Sequence, residues 1–186
     1  ALAFLPGCVR QKFHYTATYD DTYPFVVDQT GQFAVRHVIT PAGVNGALDI
    51  PGDATIDQLE IEALAVRVII LPGDEAHALS VSGMIMDEQL RTAIWNDYPI
   101  VLAGADMPFV GLNNLIADGI SKLRSKLLGY ASRLNSSYCA VQISGDSVPA
   151  GQRIHLRIDL RVRATIKYHR CLRVPREVFD GEDCDG

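Results

Sequence analysis

The stretch from Arg153 to Arg173 constrains the fold more than any other, because from Ile154 onward it alternates without a break for about fifteen residues. Ile154, Leu156, Ile158, Leu160, Val162, Ala164, Ile166 and Tyr168 share one parity; Arg153, His155, Arg157, Asp159, Arg161, Arg163, Thr165, Lys167 and His169 share the other. A period of two places the apolar side chains on one face of a β-strand and the charged ones on the opposite face. At about 3.3 Å per residue the strand would run roughly 50 Å, beyond the usual length, which predicts a bulge, a bend or a strand serving two sheets. So long an apolar face has to be covered by other elements.

Further strands are legible on both sides of it. Phe13, Tyr15, Ala17 and Tyr19 alternate with polar residues, Asp20-Asp21 reads as a break, and Tyr23 to Val27 resumes in extended form. Asp28 to Gly31 reads as a turn and Gln32 to Ile39 as a strand that forms a hairpin or crosses between sheets. Thr40 to Ala54, with Pro41, Gly43, Gly46, Pro51 and Gly52, is a long loop with at most a short turn of helix. Ile56 to Leu71 is a strand whose parity shifts near Ala63-Leu64-Ala65, the mark of a bulge, and Ala78 to Met86 is expected to pair with it as a hairpin. Asp87 to Asp97 is ambiguous, and Tyr98 to Ala103 reads as a short strand. Leu112, Leu115, Ile116, Ile120, Leu123, Leu127, Tyr130 and Leu134 recur at three and four, so Gly111 to Leu134 reads as an amphipathic helix weakened by Gly119 and Gly129. Tyr138 to Ser144 should complete a C-terminal hairpin with the long strand.

These elements predict a mainly β fold: an antiparallel β-sandwich, immunoglobulin-like in the loose architectural sense, with one amphipathic helix packed on or capping it. At 186 residues and 48% hydrophobic content the chain suits one domain with a real core. We divide it into an apolar arm (1–12), the sandwich domain (13–175, with the helix at 111–134) and an acidic tail (176–186).

Charge is distributed unevenly. The window 153–173 holds six Arg and Lys167 against Asp159, a balance of +6, so the remainder of a chain at −5 carries −11. Arg153, Arg157, Arg161, Arg163 and Lys167 form a basic face that can meet an acidic partner, but exposed strand cations more often pair with carboxylates on adjacent strands and discourage edge-to-edge aggregation. Asp57, Glu60 and Glu62 are the candidate neighbours. Nucleic acid is not an expected partner, because the net charge is negative and the strip lacks interleaved exposed aromatics.

The chain opens on Ala1-Leu2-Ala3-Phe4-Leu5-Pro6-Gly7-Cys8. Leu5, Gly7 and Cys8 resemble the end of a bacterial lipoprotein signal peptide, from which Pro6 and the missing basic region depart. That resemblance implies removal of residues 1–7 and a lipid anchor on Cys8, which would be the route to a membrane. The competing expectation is an uncleaved apolar arm docked on its own domain or on a neighbouring subunit.

Cys8, Cys139, Cys171 and Cys184 form no metal-binding spacing and allow three pairings. Cys171 with Cys184 closes a short loop, which leaves Cys8 with Cys139; with Cys8 lipidated, Cys139 is simply buried. Asp180, Glu182, Asp183 and Asp185 are Ca²⁺ candidates by composition, without an EF-hand spacing, and read more readily as a solvated acidic tail. No other cofactor is expected. Asn135-Ser136-Ser137 fits a glycosylation sequon, meaningful for a eukaryotic secreted chain.

Catalysis needs a constellation, and the chain carries no G-x-S-x-G elbow, P-loop, G-x-G-x-x-G or H-E-x-x-H. His14, His37, His77, His155 and His169 are scattered, and His169 with Cys171 point in parallel along one strand. The expected role is therefore that of a non-catalytic extracytoplasmic or cell-surface structural protein, a subunit of a filament or adhesive layer that associates with itself or another surface protein. A lipid-binding module with a cavity lined by Leu115, Leu123, Ile158 and Val162, and an enzyme built from loops 40–54 and 104–111, are the alternatives.

Overall fold

The alternation is realised in full in the computed structural model, which describes residues 8–88, 90–175, 182 and 184. Ile154, Leu156, Ile158, Leu160, Val162, Ala164 and Ile166 are each 0% exposed, on one face of a single strand. In chain order the elements are β1 (Cys8–Thr30), β2 (Gln32–Val38), α1 (Pro41–Ala47), β3 (Thr55–Ile70), β4 (Ala78–Met86), β5 (Arg91–Val101), β6 (Val110–Gly111), α2 (Ala117–Ala131), β7 (Ala140–Val148) and β8 (Arg153–Pro175).

Two antiparallel sheets of four strands, ordered β1-β8-β3-β6 and β2-β7-β4-β5, make the sandwich. β1 pairs with β8, β2 with β7, β3 with β6 and β4 with β5, the nested pattern of one long ribbon rolled over on itself. That connectivity is a jelly roll. The expected mainly β sandwich is present, and α2 closes one end of it against β3, β4, β5 and α1. Leu123, Leu127 and Tyr130, at helical spacing, are its buried face.

The long strand pairs with β1 over its whole length, Cys8 against Pro175 through Thr30 against Arg153, without a register shift. It stays in one sheet. The irregularities fall on its other neighbour, β3, at Ile56/Gln58 and Ile61/Ala63, close to the parity shift seen in the sequence.

Several local expectations are corrected. β3 and β4 are no hairpin, and neither are β7 and β8: each pair lies in different sheets. Alternation reports which face is buried and not which strand lies alongside, and connections of this length can cross the ~10 Å between packed sheets. The 71–77 connection shows the crossing. Leu71 N–H donates to His155 O (2.9 Å) at the start of β8, and His77 N–H donates to Val148 O (3.1 Å) at the end of β7.

Asp20-Asp21 does not break β1. The odd residues Tyr19, Tyr23, Phe25 and Val27 continue inward past it at 1%, 5%, 2% and 0% exposure. Asp20 points outward to arginines, while Asp21 accepts from the Thr22 N–H (2.8 Å) and the Tyr19 hydroxyl (3.2 Å). The Asp28–Gly31 turn shrinks to Gly31, whose φ of +77° suits glycine. The ambiguous Asp87–Asp97 stretch is largely strand β5, and the helix is shorter than expected because Val110–Gly111 joins the first sheet as β6.

Candidate functional site

The outer face of the first sheet carries the basic strip, and Arg153, Arg157, Arg161 and Arg163 are paired with carboxylates. Arg161 Nε and Nη2 donate to the two oxygens of Asp20 at 2.6 and 2.5 Å, and Arg163 Nη2 reaches the same carboxylate at 3.3 Å. These hydrogen bonds, Arg161 first, hold the Asp20 carboxyl below its ordinary pKa against the opposing effect of desolvation. Arg153 Nη2 meets Asp28 at 3.2 Å. Asp159, 2% exposed, accepts from Arg67 Nη2 at 2.7 Å and lies 2.9 Å from Arg157 Nε. Lys167 is exposed.

The pairing expected for this face is thus present, but the carboxylates are others. Asp57 pairs with His169 (2.6 Å), Glu62 with the Thr165 hydroxyl and Glu60 with Gln58 (2.5 Å), while β1 supplies Asp20 and Asp28. The register explains this: Asp20 sits directly opposite Arg163. Phe109 was missed. It comes from the β5–β6 connection and lies under the guanidinium groups of Arg67 (4.8 Å) and Arg161 (5.7 Å), a placement that no local pattern signals.

At the far end of the same face Cys171 is bonded to Cys184, with an S–S distance of 2.17 Å. Cys171 is therefore no free thiol for His169 to activate. The bond also brings residues 182 and 184 onto the edge of β1: Lys12 N–H donates to Glu182 O (2.9 Å) and Cys184 N–H to Arg10 O (3.3 Å). Glu182 lies 3.6 Å from His14 Nε2 and 3.8 Å from Lys12 Nζ. Among the described residues no group of three His, Cys, Asp or Glu is arranged to hold a metal ion. Asp180, Asp183 and Asp185, the remaining Ca²⁺ candidates, lie outside the described residues, as do Ala1 to Gly7.

Cys8 begins β1 opposite Pro175, whereas Cys139 is a free, fully buried thiol, so the Cys8–Cys139 pairing is not formed. Burial pushes the Cys139 thiol up to about 11. A disulfide fits an oxidising compartment. Among the described residues no helix is long and apolar enough to cross a membrane.

A second polar cluster went unseen in the sequence. The Tyr19 and Tyr23 hydroxyls share a short hydrogen bond, Asp21 lies beside them, and the His37 ring packs 5.1 Å from that of Tyr23. Burial raises both phenol pKa values, so both hydroxyls keep their protons at neutral pH. Asp21, Tyr23 and His37 of this cluster, with Thr40 and Val44, line a shallow cavity of about 190 Å³. The signal available was the odd parity shared by Tyr19, Asp21 and Tyr23; His37 comes from another strand and had none.

The four residues proposed to line a lipid cavity do not come together around one. Leu123, Ile158 and Val162 are 0% exposed within the packed core, and Leu115 is 36% exposed at the surface. The apolar opening lies elsewhere, between β5 and β6. A groove of about 100 Å³ there is lined by Val66, Val68, Tyr98, Ile100, Met107 and Val110. Val101 and Val110, 67% and 43% exposed, stand on its rims.

No family model and no curated protein matches the chain. Among solved structures, a chain of the "Structure of infectious bursal disease virus Gx strain" is similar at 12% identity and a TM-score of 0.31, over 86% of this chain. The alignment spans only 38% of that chain's length. A TM-score this low carries no inference about fold or role.

Proposed function

We propose that this chain is a non-catalytic structural subunit that works outside the cytoplasm by associating with copies of itself or with another surface protein. The observation that carries the reading is the groove between β5 and β6. The interior between the sheets is filled by side chains, yet at this edge the core residues Val66 and Val68 meet an opening rimmed by exposed Val101 and Val110. Apolar surface where the edges of two sheets meet favours pairing with another chain. Jelly rolls serve shell subunits, lectins and cupins alike, so the architecture permits this role without assigning it. The paired arginines of the first sheet fit a solvated face and leave the sandwich edge as the adhesive one. The Cys171–Cys184 disulfide supports an extracytoplasmic site.

Sedimentation velocity of the purified full-length chain across a concentration series, with electron microscopy of the heaviest fractions, tests the reading. Concentration-dependent assemblies of regular form are expected. A chain that stays monomeric at every concentration and salt, alone and with surface extracts of its source, would remove it.

A further inference from the structure

The groove between β5 and β6 has a shape and chemistry that select its occupant. β5 ends the order β2-β7-β4-β5 and β6 ends β1-β8-β3-β6, so each rim is a strand edge with a sheet neighbour on one side. Part of the β5 edge is already covered, because Ile94 O accepts from Ile116 N–H (2.7 Å) and Asn96 O from Asn114 Nδ2 (2.7 Å). The covering segment leaves Tyr98 to Val101 alongside the groove. Pro99 in this stretch fits an edge strand, where its missing N–H costs no ladder bond. What suits such a place is a short, extended, uncharged apolar segment, adding a strand to β5 and dropping alternate side chains between the sheets.

Ala1-Leu2-Ala3-Phe4-Leu5 is such a segment. Its reach from the point where the described chain begins decides whose groove it fills. Phe4 precedes Cys8 by four residues and can lie no further than about 14 Å from it. Cys8 stands opposite Pro175, at one end of β8. Val66 and Val68, the floor of the groove, stand opposite Leu160 and Ile158. About fifteen residues of β8 separate the two places, roughly 50 Å of strand. Phe4 therefore cannot enter the groove of its own chain.

We propose that the groove between β5 and β6 receives the Ala1–Leu5 segment of a second copy of this chain, as an added strand along Tyr98–Val101. The contact is heterologous, arm of one copy into groove of the next, and repeats into a ring or a filament. This rests on the reading above that the protein self-assembles, and it names the surfaces that do it.

Two charge substitutions test it, one at the 67% exposed rim residue Val101 and one in the segment itself. Val101→Glu alters the rim and Phe4→Glu the segment; both should keep the parent's circular dichroism and thermal midpoint. Each alone should lower the association constant at least about tenfold, because a carboxylate would have to enter an apolar cleft. Leu134→Glu, at an 87% exposed position away from the groove, should associate as the parent does. Mixing the two defective chains gives the decisive result. One keeps an intact groove and the other an intact arm, so a one-to-one mixture should form heterodimers and nothing larger. A Phe4→Glu chain that assembles like the parent overturns the inference and leaves self-assembly standing. So does an intact mass showing residues 1–7 removed and Cys8 acylated. A parent chain that never associates overturns both.

Discussion

Gly83 of β4 lies flat against the indole of Trp95 on β5: a methyl group on its α-carbon would stand 2.1 Å from Trp95 Cη2. The two residues are register partners, and the β4–β5 pairing is irregular on both sides of Gly83. Trp95 is fully buried, so its ring has no free space to move into. Gly83→Ala should therefore destabilise the fold by about 2–3 kcal/mol through overpacking, measured by denaturant unfolding. Trp95→Leu removes the clashing ring at the cost of a cavity. The double variant should then be more stable than the sum of the two losses predicts, and strict additivity would refute the contact.

Gly119 sets propensity against packing. It lies inside α2, where alanine in place of glycine ordinarily gains about 1 kcal/mol. A Cβ there would meet Ala93 O at 2.1 Å and Ile94 Cα at 2.8 Å, and both are β5 backbone atoms that cannot turn aside. Gly119→Ala should thus lower the thermal midpoint. A rise would mean that α2 does not sit directly on β5.

These two glycines mark where the sequence stopped being informative. Gly119 read only as a weakness in a helix, because its reason lies in a strand more than twenty residues away. The buried face of β8 was legible to the residue, since burial of alternate positions is a local property of a strand in a sandwich. Which strands lie beside one another was not: β3 with β4 and β7 with β8 looked like hairpins because they are adjacent in sequence, and only tertiary packing sends the chain across to the other sheet. The same limit applied to the sites. The basic strip was visible, but its partners Asp20 and Asp28 depended on the β1 register, and Phe109 and His37 reach their clusters from elements with no pattern in common with them.

The Cys171–Cys184 bond should protect the edge of β1 as well as stabilise the domain. Its sequence separation of 13 corresponds to about 3 kcal/mol on the loop-entropy estimate. The double replacement Cys171→Ser, Cys184→Ser should lose stability of that order. It should also free the strand edge where Lys12 N–H donates to Glu182 O. Hydrogen exchange is the measurement: the Lys12 amide should lose protection in the double variant while the amides of β4 and β7 retain theirs. Unchanged protection at Lys12 would show that residues 182 and 184 hold their place without the bond.

Asp20 and Asp159 should respond differently to salt. Asp20 is held below its ordinary pKa chiefly by its hydrogen bonds with Arg161, so its carboxylate is favoured in the folded state. Stability from such a group is complete above the unfolded value, about 3.9, and drains away as pH falls through the lower folded value. Asp20→Asn should then be less stable than the parent at pH 7, by the same margin down to about pH 5, with the gap closing below about pH 3. Because Asp20, Arg161 and Arg163 are partly exposed, added salt should narrow that margin. Asp159 is nearly inaccessible and is engaged by Arg67 and Arg157, so Asp159→Asn should cost more, about 1–3 kcal/mol, with little sensitivity to salt. Urea unfolding of the parent and both variants at two ionic strengths separates the cases. A larger loss at Asp20, or equal salt dependence at both, would contradict the burial that distinguishes them.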